Sequence, residues 1–284
     1  MLNLKGTGVA LVTPMNSDYS IDYPGLKNLV NHVIEGGADY LVVLGTTGES
    51  ATLSKDEKKE VLKACIEYNS GKLPIVYGLG GNHTSAVLED IKTTDFKGID
   101  AILSVCPYYN KPSQKGIIAH YSMIADASPV PVILYNVPGR TVTNMTADTT
   151  LQLAKHPNII AMKEASGNIE QCMNIAEGMP EGFLLISGDD MLTTAMNAIG
   201  GSGVISVLAN AYPQLFKDIC DEDFTVSKNA VFKLLKINPL MYEESNPVGL
   251  KYLLKCLGVC EEYVRLPLAE ASDSLKERIS SLKL

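Results

Sequence analysis

Lys163 ends a run of four apolar residues, Ile159-Ile160-Ala161-Met162, and Ser166-Gly167-Asn168 turns the chain just after it. An ammonium at the mouth of a buried strand is costly to desolvate. Burial lowers a lysine's pKa and favours the neutral amine, which can attack a ketone or aldehyde and form a Schiff base. The plainer alternative is a lysine that snorkels to solvent or pairs with Glu164. Neighbouring side chains in a strand point to opposite faces, so Glu164 is expected to face away from Lys163.

Other reactive residue types fall at the ends of similar apolar runs. Gly45-Thr46-Thr47-Gly48-Glu49-Ser50 sets two hydroxyls and free backbone N–H groups in a tight turn; it either holds a carboxylate or is an ordinary glycine-rich turn. Tyr108 and Tyr109 lie between Pro107 and Pro112 and serve packing or supply a phenol. Tyr135-Asn136-Val137-Pro138-Gly139-Arg140 combines a tyrosine, a rigid turn and a guanidinium suited to bidentate carboxylate binding. Two further runs end in Ser187-Gly188-Asp189-Asp190 and Val204-Ile205-Ser206. The paired aspartates are expected to cap the next helix. His32, His83, His120 and His156 show no metal-ligand spacing. Gly200-Gly201-Ser202-Gly203 resembles a phosphate loop, but it precedes a strand and belongs to the opposite rim. A lysine amine, several hydroxyls and one arginine suit Schiff-base chemistry on a small keto acid. The hydroxyls relay protons and the imine serves as electron sink, so the expectation is that no cofactor or metal is needed.

The elements that must position these groups recur regularly. Apolar, β-branched runs appear at Gly8 to Thr13, Tyr40 to Leu44, Pro74 to Tyr77, Ala101 to Val105, Pro131 to Tyr135, Ile159 to Lys163, Phe183 to Ser187 and Gly203 to Val207. Segments of helical periodicity separate them. Leu26, Leu29, Val30 and Val33 share a face, and Ser54-Lys55-Asp56-Glu57 reads as a capping box opening a helix with Val61, Leu62, Cys65 and Ile66 on one side. Continuously apolar strands alternating with helices imply a parallel sheet covered on both sides. Eight such units predict an α/β fold, a (β/α)₈ TIM barrel. An open doubly wound sheet is the alternative, weakened because Gly78-Leu79-Gly80-Gly81-Asn82-His83 lacks the third glycine of a dinucleotide fingerprint. Helical segments at Lys228 to Leu235, Gly249 to Leu257 and Leu266 to Ile279 predict a C-terminal helical cap. The expected division is a catalytic barrel over 1–223 and a cap over 224–284.

Composition bounds the setting. The 284 residues are 46% hydrophobic, ample for a large core, and the net charge is −8 with no basic run. Nucleic-acid and anionic-membrane partners are therefore not expected. Cys65, Cys106, Cys172, Cys220, Cys256 and Cys260 lack metal or redox spacing and read as reduced core thiols. No apolar stretch matches a signal or a membrane span, and the expected location is cytoplasmic.

Taken together, Gly45-Thr46-Thr47-Gly48-Glu49, Tyr108-Tyr109-Asn110, Tyr135-Asn136-Val137-Pro138-Gly139-Arg140 and Lys163-Glu164-Ala165-Ser166-Gly167 resemble the dihydrodipicolinate synthase family. That family belongs to the pyruvate-dependent class I aldolases, which also include N-acetylneuraminate lyase. The resemblance runs through the whole chain in order. It implies condensation of pyruvate with L-aspartate 4-semialdehyde in lysine and diaminopimelate biosynthesis. Lys163 would form the Schiff base. Tyr135 would donate and accept protons, linked through Thr46 to Tyr109 of a neighbouring subunit. Thr47 and the Ile205 backbone would hold pyruvate, with Gly188 also at the substrate, and Arg140 would bind the carboxylate of the semialdehyde. A homo-oligomer, a dimer of dimers, is implied. A sugar-acid aldolase acting through the same imine is the rival within the family; Arg140 and the Thr46-Thr47 pair argue against it. Lysine-inhibited members bind lysine through residues matching Ser50, Ala51, Asn82 and Tyr108, and also through a glutamate aligned with Ala86 and histidines aligned with Lys55 and Lys58. The departures imply weak or absent inhibition by lysine, unless Glu89 or Asp90 replaces the missing carboxylate.

Overall fold

The computed structural model describes residues 2–284. Among these, β1 (Gly6–Ala10), β2 (Tyr40–Val43), β3 (Ile75–Gly78), β4 (Ala101–Val105), β5 (Val132–Asn136), β6 (Ile159–Glu164), β7 (Leu184–Ser187) and β8 (Gly203–Ser206) pair in chain order. All pairings are parallel, and β1 lies against both β2 and β8, which closes the ring. This is the (β/α)₈ TIM barrel that the alternation implies.

Period-two alternation sorts each strand into an inner and an outer row. Ala10, Tyr40, Val42, Val76, Ala101, Leu103, Ile133, Ala161, Ile186 and Ile205 form the barrel's own core. Outer residues such as Val9, Leu41, Val43 and Ile75 pack under helices on one side, and Ile102, Leu134, Met162 and Leu185 do so on the other. Lys163 follows Ala161 at the inner period. Glu164 follows Met162 at the outer one.

Helix Tyr23–Glu35 buries Leu26, Leu29, Val30 and Val33. Helix Lys55–Asn69 opens with the reciprocal capping box: Glu57 N–H donates to Ser54 Oγ at 3.2 Å and Ser54 N–H to the Glu57 carboxylate at 2.8 Å. Four segments depart from the sequence expectation. β1 starts at Gly6, where Gly6 N–H donates to Ser202 at 2.9 Å, and it ends before Thr13 because Val12 N–H turns to the Asn210 side chain at 3.1 Å. Helices Thr84–Thr93 and Pro213–Ile219 are additional. The last helix spans Asp273–Leu282 rather than starting near Leu266; Pro267 supplies no N–H, and Ser272 Oγ caps the helix by accepting from Leu275 N–H at 3.3 Å.

The extension carries helices Phe224–Leu234, Val248–Cys256 and Asp273–Leu282. Ala230, Val231, Leu250, Leu253, Leu254, Leu275 and Ile279 join the apolar cluster of Val9, Leu11 and Val43. The extension is thereby anchored on the barrel near the turn that follows β2. Among the described residues, no helix is long and apolar enough to cross a membrane.

Candidate active site

In parallel barrels the C-terminal strand ends present loops and side chains to one mouth. β5 and β6 pair with Tyr135 opposite Lys163. The Lys163 Nζ stands 4.3 Å from the centroid of the Tyr135 ring, and the two residues are 5% and 7% exposed. The lysine nitrogen has the phenol face as its neighbour. Glu164 does not pair with it. As the alternation requires, Glu164 points outward, and its oxygens accept from Asn136 Nδ2 at 3.1 Å, Ser166 N–H at 2.7 Å and Gln171 Nε2 at 2.9 Å.

The turn after β2 is held from several directions. Gly48 N–H donates to Gly45 at 3.2 Å, Glu49 N–H to Thr46 at 3.1 Å, and Thr13 Oγ1 to the Gly48 carbonyl at 2.7 Å. Leu44 and Glu49 both adopt positive φ, +61° and +52°, a conformation held only where surroundings enforce it. Gly78 permits this: a Cβ there would stand 2.3 Å from the Leu44 carbonyl oxygen. Thr47 is buried, and its Oγ1 accepts from Asn246 Nδ2 at 3.0 Å, a residue of the extension. The Asn246 Oδ1 is buried without a hydrogen-bond partner. Thr46 is half-buried beside it.

Gly188 follows β7 and lies against the lysine itself. A Cβ at this position would meet Lys163 Cε at 3.0 Å and Ala165 Cβ at 2.6 Å, so glycine leaves the lysine stem its space. Ile205 is a buried inner residue of β8. The two aspartates divide their work. Asp189 caps the following turn, accepting from Met191 N–H at 3.1 Å. Asp190 departs from the capping expectation: it is buried and braces the chain after β8, accepting from Val207 N–H at 3.3 Å and Leu208 N–H at 2.8 Å. Burial pushes its carboxyl up to about 6 against the opposing pull of those hydrogen bonds.

Two of the residues singled out in the sequence are exposed, unlike this buried group. Arg140 is exposed on the short helix Pro138–Thr141. Tyr109 is 88% exposed with φ of +72°, and it makes no hydrogen bond to the described residues. Its loop is tied down by Asn82 Nδ2 to Tyr108 O at 3.0 Å and Asn110 Nδ2 to Asn82 O at 2.8 Å.

The extension contributes residues that the sequence left unmarked. Besides Asn246, Tyr242 stands within electrostatic reach of Tyr135, Arg140, Asp189 and Asp190. Part of its ring stays open to solvent, but desolvation of the hydroxyl first, and then the acidic pair, push the phenol above its ordinary range. Lys251 and Glu49 form a buried ion pair, Nζ to Oε1 2.6 Å. These residues carried no signal beyond the Asn246-Pro247 break between helices.

Similarity to known proteins identifies the family of the chain. The model of the dihydrodipicolinate synthetase family matches residues 3–283. The 4-hydroxy-tetrahydrodipicolinate synthase of Flavobacterium psychrophilum is 50% identical over 283 residues, covering 96% of this chain and 95% of its own. The crystal structure of dihydrodipicolinate synthase from Bacillus anthracis superposes with a TM-score of 0.96 at 32% identity, covering 100% of this chain and 98% of its own. That of the Acinetobacter baumannii enzyme complexed with pyruvate superposes with a TM-score of 0.95 at 36% identity, covering 99% and 98%. The chain belongs to the dihydrodipicolinate synthetase family.

Proposed function

We propose that this chain condenses pyruvate with L-aspartate 4-semialdehyde to give 4-hydroxy-tetrahydrodipicolinate, the first committed step of lysine and diaminopimelate biosynthesis. The observation that carries this reading is the buried Lys163 amine over the Tyr135 ring, with the neighbouring Glu164 carboxylate turned to Asn136 and Gln171 instead. The neutral amine adds to the pyruvate ketone. Loss of water from the carbinolamine leaves an iminium, and loss of a methyl proton gives the enamine. Tyr135 moves these protons, with Thr46 and Tyr109 as relay. Thr47 and the Ile205 backbone hold the pyruvate carboxylate, and Gly188 gives room to the imine. The enamine carbon attacks the aldehyde, with Arg140 binding the second carboxylate. The substrate's own amine then attacks the imine carbon, releasing Lys163 and closing the ring. No cofactor enters this scheme.

The exposed Tyr109 supports a homo-oligomer in which this phenol completes a neighbour's site, and a dimer of dimers in the cytoplasm is the assembly proposed. Residues 1–223 act as the catalytic barrel and 224–284 as a cap that braces it. The test is a condensation assay with both substrates, coupled to a reductase that consumes the product, beside borohydride trapping of pyruvate. Turnover together with a trapped adduct that Lys163→Ala abolishes supports the reading. Trapping without turnover on the semialdehyde moves the second substrate to a sugar-derived aldehyde.

A further inference from the structure

The strands that carry Tyr135 and Lys163 are joined a second time, through the next residue of each. In the β5–β6 ladder Asn136 lies opposite Glu164. The inner pair faces the barrel mouth and the outer pair faces the helices. Asn136 is 0% and Glu164 2% exposed. Asn136 Nδ2 lies 3.1 Å from each Glu164 oxygen and also donates to Asn144 Oδ1 at 2.7 Å, while Asn136 Oδ1 accepts from Met145 N–H at 2.9 Å. Ser166 N–H and Gln171 Nε2 complete the shell around Glu164.

Packing alone does not call for these residues. The outer positions before them, Leu134 and Met162, are apolar and fully buried. A buried carboxylate with amide partners and no cation is an expensive way to fill such a place. What it supplies is direction. The ladder shifts register between Val132 and Ile133, where Val132 faces Ile159 and Ile133 faces Ala161. Beyond that irregularity the inner Ile133 and Ala161 and the outer Leu134 and Met162 are all apolar and buried, so polarity does not distinguish the two faces there, and a slip of one residue turns every side chain to the other face. The Asn136–Glu164 bond forms in one register only, the one that sets Lys163 beside Tyr135.

We propose that Asn136 and Glu164 are positioning residues for the reaction: their cross-strand hydrogen bonds, backed by Gln171 and Ser166, hold the lysine amine against the tyrosine phenol on the opposite face. The proposal rests on the Schiff-base reading above. Misplacing reacting groups by about 1 Å costs on the order of 10²-fold in rate.

The test uses the full-length protein and three variants. Asn136→Asp sets two carboxylates against each other. Glu164→Gln turns an amide N–H against one of the surrounding donors. The double variant restores one donor facing one acceptor with the direction reversed. The readouts are kcat, KM for pyruvate, the rate of borohydride trapping and the thermal midpoint. Each single variant is expected to lose roughly tenfold to 10²-fold in kcat and trapping rate with little change in KM, and the double variant to regain at least half of the logarithmic loss. A structural role alone would lower the midpoint and leave kcat per folded molecule unchanged. Single variants with wild-type kcat, or a double variant whose loss is the product of the single losses, overturn the proposal. If a single variant does not fold, Gln171→Ala removes one donor from the helix side; a several-fold fall in kcat is expected, and unchanged kcat overturns the proposal. Wild-type protein that traps no pyruvate brings down the Schiff-base reading and this proposal with it. Wild-type trapping with unaffected variants brings down the proposal alone.

Discussion

Replacing Lys251 by methionine is the sharpest probe of how the extension supports the mouth of the barrel. The Lys251 and Glu49 side chains are 0% and 1% exposed, and Nζ stands 2.6 Å from Oε1. Nζ also donates to the Tyr263 carbonyl at 2.7 Å, and Glu49 Oε2 accepts from Arg265 N–H at 3.0 Å. At an effective dielectric constant of about 20, the attraction at this separation is roughly 6 kcal/mol. Desolvation of the two ions offsets several kcal/mol each. Burial pulls the Lys251 ammonium below its usual range despite the opposing attraction of Glu49. The net worth of the pair is therefore small, yet removing one partner strands the other. Lys251→Met leaves the Glu49 carboxylate buried with a backbone N–H as its remaining partner, a loss of about 3–5 kcal/mol, or roughly 5–8 °C in thermal midpoint for a chain of this length. Because Glu49 ends the turn that carries Thr46 and Thr47, kcat should fall as well. Adding Glu49→Gln to Lys251→Met removes the stranded charge and should recover most of the stability. Urea unfolding followed by circular dichroism reads both variants. A single variant within about 1 kcal/mol of wild type would refute the reasoning, since the carboxylate would then not depend on its lysine.

Tyr135→Phe keeps the ring over Lys163 and removes the proton carrier; kcat should fall ~10²–10⁴-fold with the fold intact, and a loss of less than about threefold would remove the role. Arg140→Ala should raise KM for the semialdehyde in steady-state assays, and a change confined to pyruvate would show the assignment to be wrong. Lysine should inhibit the purified protein weakly or not at all. The groove of about 750 Å³ lined by Ser50, Lys55, Lys58, Tyr77 and Asp90 presents ammonium groups, and Asp90 is already bound to Lys55 at 2.9 Å; inhibition by micromolar lysine would contradict this. His120 is buried against Thr84, and burial lowers its pKa from 6.5 to about 4. Between those values the unfolded chain binds the proton and the folded chain does not. Stability from this group is thus full above pH 6.5 and declines as pH falls through that window, by about 3 kcal/mol. Asp190, raised from 3.8 to about 6, acts in the opposite sense, with stability falling as pH rises from about 4 to 6. Comparing pH-dependent melting of wild type and His120→Asn isolates the histidine; parallel curves would dismiss it.

The barrel was legible because its signal is local. Each strand is buried on both sides, so its residues are mostly apolar, and a turn cluster closes each run. The opposite facing of Lys163 and Glu164 follows from the pleat alone, and the Ser54–Glu57 capping box from a four-residue pattern. β1 was misplaced because Leu11 and Val12 stay buried in the apolar cluster shared with the helices of the extension after the strand has ended, so apolarity outlasts the strand. The residues that brace the site were illegible for a different reason. Asn246 meets Thr47 across 199 positions, and Arg265 meets Glu49 across 216. Asn136 faces Glu164 only through a register that includes an irregularity. Sequence by itself determined the alternation of strands and helices that makes the barrel, and the opposite facing of neighbours such as Lys163 and Glu164 along a strand. The partners that hold those residues in place were decided by tertiary structure, because a hydrogen bond or ion pair between distant segments depends on where the whole chain closes, and no local period records that.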